Sequence, residues 1–184
     1  MTPEEQALRR LVDLLEAHHI AYMITGSIAS SYHGRPRATH DADVVIDPTA
    51  TQFGQLVTAL ANSGFYVNPD SASRAFEHRR QFNAIEIESA SKIDVVILKD
   101  RPFSHEEFQR RQLVDLALGR VSIVSSEDSI LSKLEWARRS GESERQLRDA
   151  AGVLEVNPSL DRAYIEKWAT ELGVMDLWQS LLTE

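Results

Sequence analysis

The sequence predicts an α+β fold: a small mixed β-sheet flanked by helices, followed by a C-terminal helical bundle. Three observations carry this expectation. Short apolar runs of strand length alternate with helical patterns through the first two thirds of the chain. The strand-like runs stop near residue 124. Helical patterns then cover 127–139, 143–154, 160–172 and 174–182, with Gly141, Asn157-Pro158 and Gly173 at the joints. The expected division is an α/β core over residues 1–124 and a helical subdomain over 125–184.

The first helix is read from Leu8, Leu11, Val12 and Leu15, which share one face at helical spacing. Ala21–Thr25 reads as a strand ending at Gly26, and Ser27–His33 as a short helix stopped by Gly34 and Pro36. A strand over Asp41–Ile46 ends at Asp47-Pro48, and a helix over 50–62 ends at Asn62-Ser63-Gly64. Residues 65–80 read ambiguously, as a short strand at Phe65–Val67 followed by a turn or helix. Phe82–Glu88 and Lys92–Leu98 look like an antiparallel pair, a short helix is expected near 104–110, and Leu113–Leu118 with Arg120–Val124 form a hairpin around Gly119. Trp136, Trp168 and Trp178 are expected as core anchors of the helical part.

Composition narrows the class. With 184 residues and 42% apolar content, the chain has enough material for a core. No apolar run reaches the roughly 18 residues of a membrane span. The N-terminus, MTPEEQALRR, has no signal-peptide core. There are no cysteines, which excludes disulfides and thiolate metal sites. These features predict a soluble cytoplasmic protein. A net charge of −8 argues against a broadly basic nucleic-acid surface. The arginine pairs 79–80, 110–111 and 138–139 leave room only for local patches.

The chemistry is carried by acids on strands. Asp41 and Asp43 are two residues apart, so in a strand they share a face, about 7 Å apart. Val44 and Ile46 then point the other way and can be buried. Two like charges side by side are costly unless compensated, and a divalent cation compensates them. Asp94 sits between Ile93 and Val95 in a later strand and has the same problem. If the two strands are neighbours, the three acids converge. They can then hold two magnesium or manganese ions, an arrangement suited to in-line phosphoryl chemistry. Upstream, a strand runs into Gly26-Ser27 and a helix start, where free N–H groups attract phosphate. Arg35 and Arg37 lie in the loop that follows and can meet phosphate oxygens. His33 and His40 flank this region and read as local hydrogen-bonding residues.

In order and spacing these residues resemble nucleotidyltransferases of the polymerase-beta type. That pattern is Gly26-Ser27, then Thr39-His40-Asp41-Ala42-Asp43, then Ile93-Asp94-Val95. Ser125–Leu134 looks like the third motif of bacterial abortive-infection and type IV toxin nucleotidyltransferases, an acidic helix start followed by a lysine. Arg145-Gln146-Leu147-Arg148-Asp149 looks like their fourth. Ser27 departs from the second glycine of many toxin members.

The resemblance implies a nucleotidyltransferase fold, with Asp41, Asp43 and Asp94 as metal ligands. Asp94 would also help activate an acceptor hydroxyl. Gly26 and Ser27 would meet the triphosphate, Lys133 would reach nucleotide phosphates, and Asp149 would orient that region. Plainer readings stand beside these. Ser125 with Asp128 is also a helix cap, Lys133 a solvated lysine, and Arg145 with Asp149 a surface ion pair. The implied reaction moves a nucleoside monophosphate from a nucleoside triphosphate (NTP) to a hydroxyl of RNA, protein or a small molecule, releasing pyrophosphate. A role in a toxin–antitoxin or phage-defence system, with a cognate partner, is also implied. The alternatives are an antitoxin-like binding module and an inactive protein of the same fold.

Overall fold

The computed structural model describes every residue except His40, Glu142 and Glu184. In chain order the elements are α1 (Pro3–Ala17), β1 (Ala21–Thr25), α2 (Gly26–His33), β2 (Ala42–Asp47), α3 (Ala50–Asn62), β3 (Phe65–Tyr66), α4 (Pro69–Glu77), β4 (Gln81–Glu86), β5 (Lys92–Ile97), α5 (Pro102–Gln109), β6 (Gln112–Leu116), β7 (Gly119–Ile123), α6 (Ser126–Arg139), α7 (Glu144–Val156), α8 (Arg162–Glu171) and α9 (Met175–Leu181). They group into two compact units. One holds residues 1–25 and 39–123, the other 26–38 and 124–184. Residues 26–38, expected within the α/β core, thus belong to the helical unit.

The first unit is built on a mixed sheet of order β3-β4-β5-β2-β1-β7-β6. β2 runs parallel to β5 and β1 parallel to β7, while the other neighbours are antiparallel. Alternation along the strands sorts the side chains. Ala42, Val44 and Ile46 of β2 are buried beside Ile93, Val95 and Ile97 of β5. Phe82 and Ala84 of β4 continue that apolar surface. Two helices close over it: Phe53 of α3 stacks on Phe76 of α4 and meets the edge of Phe82. The helices start where side-chain caps allow. Thr2 with Glu5 and Thr49 with Gln52 form reciprocal capping boxes at α1 and α3. Leu8, Leu11, Val12 and Leu15 of α1 are fully buried, as their spacing predicts.

Two details differ from the sequence reading. β2 begins at Ala42, so Asp41 stands one residue before the strand. Residues 69–77, left ambiguous, form a capped helix. Asn68 accepts a hydrogen bond from the Ser71 N–H at 2.9 Å, and Pro69 occupies the first turn. This Asn-Pro start is a standard helix signal, masked in sequence by the low apolar content that follows.

In the second unit α2 packs on α6 and α7, and α6 also meets α8. The approach of the residue after α2 to α7 is close. A Cβ on Gly34 would lie 2.7 Å from the Val153 backbone nitrogen and 2.8 Å from the Gly152 carbonyl carbon. The absence of a side chain there lets the segment 26–38 join the helices. Trp168 and Trp178 are buried core anchors, but Trp136 is 54% exposed. Its position on α6 turns it outward from the stripe of Ile130, Leu134 and Ala137. Among the described residues no helix is long and apolar enough to cross a membrane.

Gly34→Ala should therefore lower stability by about 1–3 kcal/mol, the range for overpacking. Gly54→Ala, exposed within α3 with nothing within 4 Å of a new Cβ, should raise it by up to about 1 kcal/mol. Thermal unfolding of the two variants against wild type checks both signs.

Candidate functional site

The register of the sheet sets the acids. β2 and β5 pair in parallel with Asp43 opposite Asp94. On the outer sides, Thr25 of β1 is opposite Asp43 and Asn83 of β4 is opposite Asp94. Residues opposite one another share a face, so Thr25, Asp43, Asp94 and Asn83 form a polar row across four strands. The row lies on the face opposite Val44 and Val95. Neighbouring strands are about 4.8 Å apart, so Asp43 and Asp94 project side by side.

Asp41, just before β2, has its side chain 57% exposed, against 15% for Asp94. The Thr39 hydroxyl donates to the Asp41 carbonyl at 3.1 Å. Lys92, two residues before Asp94 and on the same face, reaches toward both acids. Its Nζ is 3.3 Å from Asp94 Oδ1 and 3.7 Å from Asp41 Oδ1, and it donates to Asp94 Oδ2 at 3.4 Å. Burial pushes the Lys92 ammonium down, but Asp94 and Asp41 outweigh it and raise its pKa above the ordinary value. Asp94 Oδ1 is buried and accepts no hydrogen bond.

Among the described residues no three or more His, Asp or Glu side chains are gathered as a ready-made metal cage. Magnesium does not require one. It takes one or two carboxylates and completes its shell with water and substrate phosphate. Two in-register carboxylates, one of which keeps a buried oxygen with unused acceptor capacity, fit that donor requirement.

The second unit gathers another group. Arg37 makes a paired contact with Asp149, Nε to Oδ1 at 2.9 Å and Nη2 to Oδ2 at 3.0 Å. The same Nη2 donates to Ser27 Oγ at 2.6 Å. Lys133 Nζ donates to Asp149 Oδ2 at 2.7 Å. Lys133 and Asp149 are almost wholly buried, with side chains 6% and 8% exposed. Burial pushes the Asp149 carboxyl up, but the hydrogen bonds and charges of Arg37 and Lys133 outweigh it. The group sits below its ordinary range. Gly26 opens α2 at φ +65°, in the left-handed region that favours glycine.

Ser27, Arg37, Lys133 and Asp149 are thus brought together. Lys133 is not a solvated lysine, and Asp149 faces Arg37 and Lys133 instead of Arg145. Arg35 lies outside the cluster, exposed and paired with Glu155 at 2.6 Å. His33 is a buried structural contact, its Nε2 2.7 Å from the Val124 carbonyl oxygen. His40 lies outside the described residues. Ser125 caps α6 by accepting from the Asp128 N–H. Its hydroxyl also donates to the buried Asp128 carboxylate, which accepts from Tyr164 as well. The residue that sequence reasoning missed is Lys92. Its signal was its place two positions before Asp94, on the same face of the strand.

Solved structures of similar fold include nucleotidyltransferases. The crystal structure of ANT(2'')-Ia in complex with adenylyl-2''-tobramycin superposes with a TM-score of 0.65 at 15% identity, covering 94% of this chain and 98% of that one. The lincosamide antibiotic adenylyltransferase LnuA, lincomycin-bound, gives 0.56 at 14% identity, over 85% of this chain and 99% of that one. An antigenic nucleotidyltransferase-like protein from Paracoccidioides brasiliensis gives 0.59 at 17% identity, over 97% and 91%. The chain therefore has the nucleotidyltransferase fold that its motifs resemble. No protein-family model and no curated protein matches it.

Asp149→Asn should cost about 3–5 kcal/mol near neutral pH, because it removes the carboxylate that faces the buried Lys133 ammonium and the Arg37 guanidinium. The folded carboxyl titrates below its ordinary 3.8. Its contribution is complete above that value and is lost as pH falls through the lower folded value. Denaturant unfolding across pH should show the gap between wild type and variant closing only in strong acid.

Proposed function

We propose that the chain is a nucleotidyltransferase that moves a nucleoside monophosphate from an NTP to a hydroxyl of a small-molecule acceptor. The observation that carries this is the in-register pair Asp43 and Asp94 on one sheet face, with Asp41 beside them. Asp41, Asp43 and Asp94 would hold magnesium or manganese, in one- or two-ion occupancy. When bound, the metal would neutralise phosphate charge and polarise the reacting oxygens.

The chain's own groups do the rest. Asp94 Oδ1, buried with no hydrogen bond, accepts the proton of the acceptor hydroxyl. The freed oxygen forms a bond to the α-phosphorus of the NTP. The α–β phosphoanhydride bond breaks, and pyrophosphate leaves with that electron pair. In the second unit, Ser27 Oγ already accepts from Arg37, so its own hydrogen is directed elsewhere and is available to a phosphate oxygen. The N–H groups of the first turn of α2 add donors of the same kind. Lys133 and Arg37 supply positive charge, and Asp149 holds both in place.

A small acceptor is favoured over RNA by two observations. The net charge is −8, and the structures of like fold include complexes with an adenylylated tobramycin and with lincomycin. A part in a toxin–antitoxin pair is a separate expectation from the motifs of α6 and α7, tested by co-purification with the product of an adjacent small gene.

The test uses each α-labelled NTP with magnesium and, separately, tobramycin, lincomycin, total RNA or cell lysate. Label should pass to a small molecule. Asp94→Asn should slow transfer by about 100- to 10,000-fold, the worth of a positioned general base. Equal transfer by wild type and the double variant Asp41→Ala, Asp43→Ala would overturn the mechanism. Ser27→Ala should raise the KM for NTP by about tenfold or more, the loss of one hydrogen bond to a charged group. Initial-rate kinetics over NTP concentration would show it.

A further inference from the structure

We infer that Lys92 is a tethered counter-ion of the acid face, lodged against Asp41 and Asp94 in the metal-free protein and displaced when a divalent ion binds there. The inference rests on the reading of Asp41, Asp43 and Asp94 as the metal-holding acids, and concerns what occupies them beforehand.

The sheet dictates the placement. Lys92 and Asp94 alternate along β5 and share a face. Ala42 pairs with Ile93, so the residues one step earlier, Asp41 and Lys92, lie beside one another on the neighbouring chains of the sheet. Three carboxylates in this small area repel one another. Lys92 is a cation placed against two of them, at 3.3 Å from Asp94 and 3.7 Å from Asp41.

The distances distinguish a displaceable ion from a fixed one. Charge-assisted N–H···O bonds run about 2.7–2.9 Å. Lys133 meets that standard, at 2.7 Å from Asp149 with a side chain 6% exposed. Lys92 does not. It divides its charge between two acids at longer range, and its side chain is 40% exposed. One group is locked by burial, whereas the other sits on a flexible four-carbon stem with water on one side. Asp94 Oδ1 keeps unused acceptor capacity even with Lys92 close by. A second cation arriving at these oxygens meets like-charge repulsion from the ammonium, which can swing into solvent at little cost.

Lys92 therefore sets the metal affinity of the free protein. It stabilises the empty acid face and weakens divalent binding by the same coupling. An ordinary surface ion pair would contribute little to folding and leave metal affinity unchanged.

The test measures binding of manganese alone, without nucleotide, by calorimetry and by electron paramagnetic resonance of the free ion. The proteins are wild type, Lys92→Gln, Lys92→Arg and Asp94→Asn. Lys92→Gln should bind manganese about tenfold more tightly than wild type, within the range of coupled sites. Lys92→Arg, which keeps the charge, should not. In thermal unfolding, metal-free Lys92→Gln should melt below wild type, and manganese should raise its midpoint by more. Equal manganese affinity in wild type and Lys92→Gln, with Asp94→Asn weaker than both, would overturn the role of Lys92 while leaving the acid face as the metal site. If Asp94→Asn binds as well as wild type, or wild type binds no manganese, the acid-face reading fails and this inference falls with it.

Discussion

The parallel pairing of β2 with β5 is the constraint on which the proposed chemistry depends. Ala42, Val44 and Ile46 face the same side as Ile93, Val95 and Ile97, and all six are buried. Burying a large aliphatic side chain is worth about 1.5–3 kcal/mol. A slip of one residue would turn one of these sets toward the polar face. Hydrophobic burial therefore fixes the register, and the register sets Asp43 beside Asp94 on the other face. The repulsion between the carboxylates is imposed by the core on the far side of the same strands.

The protein holds two kinds of charged cluster, one in each unit, and they answer burial differently. Asp149 is saturated by three charge-assisted hydrogen bonds from Arg37 and Lys133 at 2.7–3.0 Å. Such a group is a fixed support, costly to break and with little spare capacity for ligand. Asp94 is the opposite case. One oxygen is buried without a hydrogen bond, and its neighbouring cation is held at longer range. Unsatisfied acceptors are expensive in a folded protein. Their retention in line with Asp43 is a cost that makes physical sense where an exogenous cation supplies the missing partner.

Much of this was open to reading along the chain. Alternation and helical spacing located almost every element, because each reports a local periodicity. The acids were legible as well, since Asp41, Asp43 and Asp94 interrupt apolar strand patterns where a charge needs a reason. Other features were hidden. Lys92 reads as the polar start of a strand two positions before Asp94, and its second acid, Asp41, 51 positions away by residue number, is brought to it only by the sheet. Trp136 carries the same apolar signal as Trp168, yet its place on α6 leaves it exposed. Arg35 and Arg37 sit two residues apart in one loop, but one pairs with exposed Glu155 and the other with buried Asp149.

By itself the sequence determined the local conformations, the fold class and which residues carry charge into apolar surroundings. These follow from side-chain periodicity, caps and breakers, which act over a few residues. Only the tertiary structure decided which distant groups meet. It set Asp94 opposite Asp43, Lys92 against both Asp41 and Asp94, and Lys133 with Arg37 on Asp149. It also assigned residues 26–38 to the helical unit, through a glycine whose missing Cβ allows close packing. Partners far apart in the chain are chosen by sheet register and helix packing, and neither leaves a mark in the spacing of any single segment.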